Sequence, residues 1–278
     1  MDSAVDIRLL AVDLDGTVML PGDRITPAVR DALAAAQAGG IRVILATGRM
    51  VQSAERYAQN LALVPGPVIC YNGAGVAELP GRKFWFLDTL PDLPARRVVE
   101  RALRDDYLLQ IYVGEEVWAS QEDDRVRRYV ESNHVAIWVR KASELTDWPV
   151  PPIKILIQDT PERLARLRTD LDALDLAGVR LVSSQRDYLE VLPAQAGKGR
   201  ALARVASCLE IPRHAVAAVG DGENDADMLA WAGLGIAMGQ AHPAAKAAAD
   251  VVAPTVQEDG LAVAIRRYLL PPRPAALS

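Results

Sequence analysis

The sequence predicts an α/β protein: a doubly wound, Rossmann-like parallel sheet with an inserted α+β cap domain. The apolar run of residues 9–12 ends abruptly in the Asp-Leu-Asp-Gly turn of residues 13–16, as a buried parallel strand does at the edge of its sheet. Strands and helices alternate towards both ends of the chain, and a segment of different composition lies between them. This alternation is typical of a parallel sheet covered by helices.

The first β-α-β unit has clear boundaries. Residues 26–40 combine a threonine N-cap, a proline at the first helical position and two final glycines, which together predict a helix. Residues 41–46 form the next strand, so the crossover should be right-handed and parallel. That strand ends in Thr47-Gly48-Arg49, and a third strand, residues 67–71, ends in a polar turn that begins with Asn72.

The composition changes after residue 82. The segment from 83 to 188 contains Trp85, Trp118, Trp138 and Trp148, whereas the whole chain has five tryptophans. Its short strands and helices are mixed irregularly, which predicts a largely antiparallel sheet with helices on one side. We therefore expect a core domain of residues 1–82 and 189–278 and a cap domain of residues 83–188 that selects the substrate.

The last third returns to the first pattern. A helix begins at Lys198, and the strand of residues 215–219 ends in Gly220-Asp221-Gly222-Glu223-Asn224-Asp225. A further strand at residues 234–238 and a closing helix at residues 260–270 complete the predicted core.

Composition and charge exclude several classes of protein. The 278 residues are 50% hydrophobic and 24% charged, an ordinary globular balance that excludes a mostly disordered chain. The net charge of −5 leaves no general basic surface, so no nucleic-acid partner is expected. No apolar run reaches the ~18 residues of a membrane span, and the acidic start leaves no room for a signal peptide. We expect a soluble, cytoplasmic monomer or homodimer with buried free thiols at Cys70 and Cys208.

Polar side chains follow four of the predicted strands. They are Asp13 and Asp15, Thr47 and Gly48, Asn72, and Asp221 with Asp225, while Lys198 begins a helix. The ends of neighbouring parallel strands meet at the ligand-binding edge of such sheets. Carboxylates ~4 Å apart would repel by about 4 kcal/mol per pair at an effective dielectric of 20, so a cation is expected among them. Oxygen ligands shared with a phosphate favour Mg²⁺.

A phosphate ester is the substrate that this arrangement implies. Lys198 and the hydroxyl of Thr47 can contact phosphate oxygens, and Gly48 and Asn72 complete the predicted phosphate-binding set. Each of these residues also has a plainer interpretation, as a solvated lysine, a helix cap or a turn former.

Two carboxylates are the predicted catalytic residues. Asp13, at the end of its strand and least mobile, is the predicted nucleophile of an aspartyl-phosphate route. Asp15 can donate a proton to the leaving alkoxide and later take one from water. The plainer interpretation is an Asp-Gly turn after a core strand.

These motifs resemble the haloacid dehalogenase superfamily of phosphatases. In chain order they are Asp13-Leu14-Asp15-Gly16-Thr17, Thr47-Gly48-Arg49, Lys198 and Gly220-Asp221-Gly222-Glu223-Asn224-Asp225. With Tyr71-Asn72-Gly73-Ala74 and a large insertion between the second and third motifs, the chain is similar to the Cof-type subfamily with a C2B cap.

The resemblance also implies roles for the acids. The metal would be held by Asp13, the backbone carbonyl of Asp15 and Asp221. By position, Asn224 and Asp225 would support the metal shell and the lysine.

Two other functions use similar residues. A phosphomutase would share the whole site and would yield a product isomer instead of free phosphate. A receiver-like, phospho-accepting signalling module also uses acids, a threonine and a lysine on a doubly wound sheet. Receivers, however, place the phosphorylated aspartate later than the first strand and carry no inserted cap.

Overall fold

The computed structural model of the protein describes residues 6–270, except for the side chains of residues 184 and 185. The prediction that no signal peptide precedes the first strand concerns residues 1–6, of which 1–5 lie outside the described part. Within residues 6–270, none of the helices has both the length and the apolar character needed to cross a membrane.

Strands and helices follow one another in three blocks. The first block consists of β1 (Leu9–Val12), α1 (Pro27–Ala38), β2 (Arg42–Leu45), α2 (Val51–Asn60), β3 (Gly66–Cys70), β4 (Gly75–Leu79) and β5 (Lys83–Leu87). The second consists of α3 (Asp92–Arg104), β6 (Leu108–Val113), β7 (Glu116–Ala119), α4 (Asp124–Asn133), β8 (Ile137–Val139), β9 (Lys154–Gln158), α5 (Pro161–Asp172), β10 (Val179–Gln185) and β11 (Tyr188–Pro193). The third consists of α6 (Lys198–Cys208), β12 (Val216–Gly220), α7 (Ala226–Trp231), β13 (Leu234–Ala237), α8 (Pro243–Ala248), β14 (Val251–Val252) and α9 (Gly260–Ala264).

The core is a five-stranded sheet in the order β14-β13-β12-β1-β2, and all of its strands are parallel. β1 lies between β12 and β2, with Val12 in register with Val219 on one side and Leu45 on the other. Every side chain of β1 is fully buried, as its unbroken apolar run requires. The predicted parallel α/β core is therefore confirmed, and the residue after Val12 emerges at the middle of the carboxyl edge.

A small antiparallel sheet, β3-β4-β5, adjoins this core. A parallel bridge between Ala46 and Ile69 connects it to the end of β2. The third predicted strand thus exists, but it pairs along its length with β4, a strand that the sequence did not predict. β4 begins directly after the polar turn at Asn72 and includes Glu78, so no long apolar run marks it.

The cap is a six-stranded sheet in the order β10-β11-β9-β6-β7-β8. Its pairs are antiparallel except for β7 with β8, in agreement with the predicted largely antiparallel sheet. The prediction that its helices lie on one side is wrong for α4, because Val126 of α4 packs with Leu108 and Ala119 on the face opposite to α3 and α5. Side chains alternate between its faces. Ile155 and Ile157 of β9 pack in one buried cluster with residues of α3 and α5, whereas Lys154 and Leu156 line the cleft above the core.

At both predicted domain junctions, the chain passes between the core and the cap sheets one strand later than predicted. β5 (Lys83–Leu87) pairs with β4 on the core side, and β11 (Tyr188–Pro193) pairs with β9 and β10 in the cap sheet. The division into 1–82 with 189–278 and 83–188 stays a prediction.

The two cysteines differ in exposure. The predicted buried free thiol is confirmed for Cys70, at the end of β3. The prediction is wrong for Cys208, whose thiol is free but exposed, because it lies at the end of α6.

Candidate active site

The two sequence-distant acids Asp13 and Asp221 meet at the carboxyl edge of the core sheet. Asp13 follows β1 and Asp221 follows β12, and these neighbouring strands are held in register up to the Asp13 N–H, which donates to the Val219 carbonyl at 3.0 Å. Carboxylate oxygens of Asp13, Asp221 and Asp225 all lie within 4.8 Å of one another. They are thus close enough to share one ion.

Asp225 differs from the other two acids because both of its oxygens accept short hydrogen bonds, of 2.5 to 2.9 Å. Its Oδ2 accepts hydrogen bonds from the backbone N–H groups of Asp221 and Gly222 at 2.9 and 2.8 Å. Its Oδ1 accepts from Lys198 at 2.5 Å. Asp225 therefore fixes the turn after β12 and the lysine, a supporting role that leaves Asp13 and Asp221 better placed as metal ligands.

Lys198, at the start of α6, is fully buried among these acids. Its ammonium donates to Asp13 Oδ1 at 2.7 Å as well as to Asp225. Burial alone would lower the pKa of Lys198, but the charges and hydrogen bonds of Asp13 and Asp225 raise it above the ordinary lysine value. The lysine is therefore a permanent cation beside the predicted nucleophile.

One lysine does not balance three carboxylates. Burial, followed by repulsion from Asp225, raises the pKa of Asp13 well above its ordinary value, against the opposing effect of Lys198. Burial and Asp225 likewise raise the pKa of Asp221 to about 6, against a hydrogen bond from Gln240. A divalent cation would supply the missing positive charge, and an all-oxygen donor set fits Mg²⁺.

Gly16 lets the first turn pass directly beside Asp221. Its φ of +82° lies in the left-handed region, and a Cβ at this position would stand 2.2 Å from Asp221 Oδ2. The Gln240 side chain connects the two turns, since it donates a hydrogen bond to the Gly16 carbonyl at 2.6 Å and another to Asp221 Oδ2 at 3.3 Å. The absence of a side chain at residue 16 is therefore required by the site itself.

Thr47, Gly48 and Asn72 form a second group at the same edge. The Thr47 hydroxyl accepts from the Arg49 N–H at 3.1 Å, so its own hydrogen can be donated elsewhere. Asn72 has a φ of 55°, which asparagine tolerates better than most residues. Its Oδ1 accepts from Asn224 at 2.8 Å, which connects this group to the turn after β12.

Asp15 is paired with Arg49, a contact that the sequence did not predict. Arg49 Nε and Nη2 donate to the two oxygens of Asp15 at 2.9 and 2.6 Å. Arg49 Nη1 also donates to the Ser132 carbonyl of α4 at 2.6 Å. Although burial would lower the pKa of Arg49, its hydrogen bonds to Asp15 raise it. The side chain of Asp15 remains 47% exposed at the cleft, where it can meet a ligand.

A cleft of about 630 Å³ lies over this edge, between the core and the cap. The core contributes Asp13, Asp15, Gly48, Arg49, Asn72, Asp221 and Asn224 to its lining. The cap contributes Tyr129, Ser132, Asn133, Lys154, Leu156, Tyr188 and Glu190. Of the predicted residues, the cleft is lined by Asp13, Asp15, Gly48, Asn72, Asp221 and Asn224. Thr47, Lys198 and Asp225 are buried and do not line it. The structure adds cap residues that the sequence alone could not place.

Four residues of the site were not predicted: Arg49 as a partner of Asp15, Gln240, Lys154 and Glu190. Lys154 and Glu190 had a detectable signal, because each is a charged residue inside an apolar strand run, residues 153–157 and 189–192. Arg49 and Gln240 had none, because their partners are distant in sequence.

Comparisons with known proteins point to one family. The sequence model of a family described as haloacid dehalogenase-like hydrolase matches residues 10–265. The chain is 30% identical to the putative phosphatase YxeH of Bacillus subtilis (strain 168), over 95% of this chain and 98% of that protein. It is 28% identical to the 5-amino-6-(5-phospho-D-ribitylamino)uracil phosphatase YcsE of the same organism, over 96% and 97%. A solved haloacid dehalogenase-like hydrolase from Bacteroides thetaiotaomicron matches with a TM-score of 0.84 and 30% identity, over 94% of this chain and 99% of that one.

Proposed function

Because the chain belongs to the haloacid dehalogenase-like hydrolases, we propose that it is a Mg²⁺-dependent phosphatase that hydrolyses a small phosphorylated metabolite through an aspartyl-phosphate. A sugar phosphate or a similar phosphomonoester is the proposed substrate. The observation that carries this proposal is that Asp13 and Asp221 lie close enough at the cleft to share one ion, with the buried Lys198 bound to Asp13. The cap over β1 and the nucleophile on the first strand argue against the receiver-like alternative.

In the first half-reaction, an oxygen of Asp13 attacks phosphorus while the bond from phosphorus to the leaving oxygen breaks. Lys198, Thr47 and the backbone at Gly48 hold the phosphoryl oxygens, and Asp15 gives its proton to the leaving alkoxide. Mg²⁺, held by Asp13, Asp221 and the Asp15 carbonyl, would neutralise charge on the phosphoryl oxygens.

In the second half-reaction, Asp15 takes a proton from a water molecule as that water attacks phosphorus. The bond from phosphorus to Asp13 breaks, and inorganic phosphate and free Asp13 are regenerated. One carboxyl group thus serves first as acid and then as base, so it must reach both the leaving oxygen and the water.

A panel of phosphorylated metabolites, assayed for released phosphate and for isomeric products, tests the proposed function. We expect phosphate release from at least one small phosphomonoester, dependent on Mg²⁺ and abolished by EDTA. Isomerisation without phosphate release would select the phosphomutase. Full turnover in EDTA would contradict the proposed chemistry.

Substitution of Arg49 should lower kcat/KM most for phosphate esters with poor leaving groups. Both Asp15 oxygens accept from Arg49, so one of these bonds must open when Asp15 carries its proton, and the other still orients the carboxyl group. Without the guanidinium this orientation is lost, so proton donation suffers. We expect Arg49→Met to lower kcat/KM about tenfold or more for an alkyl phosphate and less for p-nitrophenyl phosphate, whose leaving group needs little protonation. Arg82→Met, which removes a partly exposed arginine paired with Glu55, is the matched control. Equal losses for both esters would argue against a role through Asp15.

Mg²⁺ should stabilise the protein more at pH 7.5 than at pH 5. The raised pKa values of Asp13 and Asp221 mean that the metal-free folded protein binds more protons than the unfolded chain. These bound protons stabilise the folded state. Their stabilisation is complete below the ordinary carboxyl pKa of 3.8, and the part from Asp221 is lost as the pH rises through its pKa of about 6.

At pH 7.5 the ionised acids bind Mg²⁺ without first releasing protons, and the cation relieves their repulsion. At 100 times its Kd, Mg²⁺ should add about 2.7 kcal/mol, a rise in Tm of roughly 5 °C for a chain of this length. Thermal unfolding with and without MgCl₂ at both pH values measures this difference. The shift should disappear in Asp221→Asn, and equal shifts at pH 5 and 7.5 would contradict the interpretation.

A further inference from the structure

Two charged side chains of the cap are buried against the core. Lys154 on β9 and Glu190 on β11 form an ion pair at 2.9 Å, with side chains only 2% and 5% exposed. Their strands are neighbours in the cap sheet, where Glu190 is in register with Leu156. Neither residue belongs to the motifs that predicted the site.

Both residues bind the phosphate-binding group of the core. Lys154 Nζ donates to the Gly48 carbonyl at 3.0 Å, and Glu190 Oε2 accepts from Asn72 Nδ2 at 3.0 Å. Asn72 in turn accepts from Asn224 at 2.8 Å. A continuous series of hydrogen bonds therefore runs from the cap sheet, across the phosphate-binding turns, to the turn that holds the acids.

The space around Gly48 leaves little freedom in this arrangement. A Cβ on Gly48 would stand 2.8 Å from Asn72 Oδ1, so the two turns are packed closely together. A small displacement of Asn72 would therefore be transmitted to the backbone at Gly48.

A buried ion pair is a poor means of stabilising a fold, because apolar residues of similar size commonly do as well or better. An ion pair that also forms hydrogen bonds to two core turns is better explained by the positions in which it holds those turns. Since Lys154 and Glu190 lie on the cap and their partners on the core, that geometry exists only while the cap is docked.

We propose that Lys154 and Glu190 are positioning residues through which the docked cap orients the Gly48 backbone and the Asn72 amide for the phosphoryl group. The inference rests on the proposed phosphatase function and adds to it that the phosphate site is complete only with the cap in place. It concerns the phosphoryl group, which all substrates share, and not the leaving group, in which they differ.

The double variant Lys154→Met/Glu190→Gln tests the inference, because it removes both charges together and leaves no unpaired ion. We expect kcat/KM to fall about tenfold or more, by the same factor for p-nitrophenyl phosphate and for the best metabolite of the panel. The inhibition constant of orthovanadate, a phosphoryl mimic without a leaving group, should rise by a similar factor. If the double variant does not fold, Glu190→Asp keeps a negative charge beside Lys154 but shortens the reach to Asn72, and the same losses are expected in smaller measure.

Gln110→Met provides the matched control. Gln110 is fully buried on β6 of the same sheet and donates to Gln158 within the cap, at 2.8 Å. It should change Tm without changing the orthovanadate constant.

Three results would overturn the inference. A fall in kcat/KM confined to one substrate would indicate a contact with the leaving group. An unchanged inhibition constant of orthovanadate, or a change in Tm alone as in the control, would show that the two residues do not position the phosphate site. A wild-type protein that releases no phosphate from any substrate would instead refute the proposed function, so the two failures are distinguishable.

Discussion

Asp13→Asn should reduce phosphate release by about 10³-fold or more, since an amide cannot form the aspartyl-phosphate. The asparagine has nearly the same shape, and its oxygen can still accept from Lys198, which lies 2.7 Å from Asp13 Oδ1. The fold should therefore persist. Removing one negative charge from the cluster should even raise the Tm of the metal-free protein, because repulsion from Asp225 and Asp221 contributes to the raised pKa of Asp13.

Phosphate release and thermal unfolding, measured on the same preparation, check both parts of this prediction. Asp31→Asn, at an exposed position of α1, is the control and should change neither quantity appreciably. A tenth or more of the wild-type activity in Asp13→Asn would exclude Asp13 as the nucleophile.

Gly16→Ala should lower activity by about 10²-fold and remove the thermal response to Mg²⁺. The added methyl group would lie 2.2 Å from Asp221 Oδ2, so either the turn or the carboxylate must move. Displacement of a metal ligand by about 1 Å is expected to cost about 10²-fold in rate. The left-handed φ of +82° adds a backbone cost of about 1–2 kcal/mol.

Gly40→Ala separates these two effects. Gly40 has a φ of +86°, close to that of Gly16, but nothing lies within 4 Å of the point that its added methyl group would occupy. Both variants should lose similar backbone stability, whereas only Gly16→Ala should show the fall in phosphate release and lose the Mg²⁺-induced rise in Tm. Similar activity in the two variants would show that the contact with Asp221 is unimportant.

The strand ends were predictable because a buried parallel strand is an unbroken apolar run, and the sequence changes abruptly to polar residues where the strand ends. The run at Leu9–Val12 and the turn at Asp221 show this clearly, and the parallel core and the family resemblance are confirmed. Helix α1 was equally predictable from its N-cap, since the Thr26 hydroxyl accepts a hydrogen bond from the Val29 N–H. Local chemistry was sufficient for these elements.

Contacts between the cap and the core were not predictable in the same way. The contact of Arg49 with Asp15 and Ser132 depends on how α4 sits over the cleft, and no periodicity encodes that. Lys154 and Glu190 were detectable as charges in apolar strands, but their partners Gly48 and Asn72 could be identified only from the three-dimensional arrangement. The roles of the individual site residues stay predictions until the variants are measured.

During synthesis, strand β1 gains its two neighbours at very different times. β2 follows within the first 45 residues, but β12 begins only at Val216, after the entire cap. At ~5–20 residues per second, a ribosome needs about 10–40 s for that stretch. One edge of an entirely apolar strand stays unpaired throughout this interval, so nascent chains that stall within the cap should be prone to aggregation and to capture by chaperones.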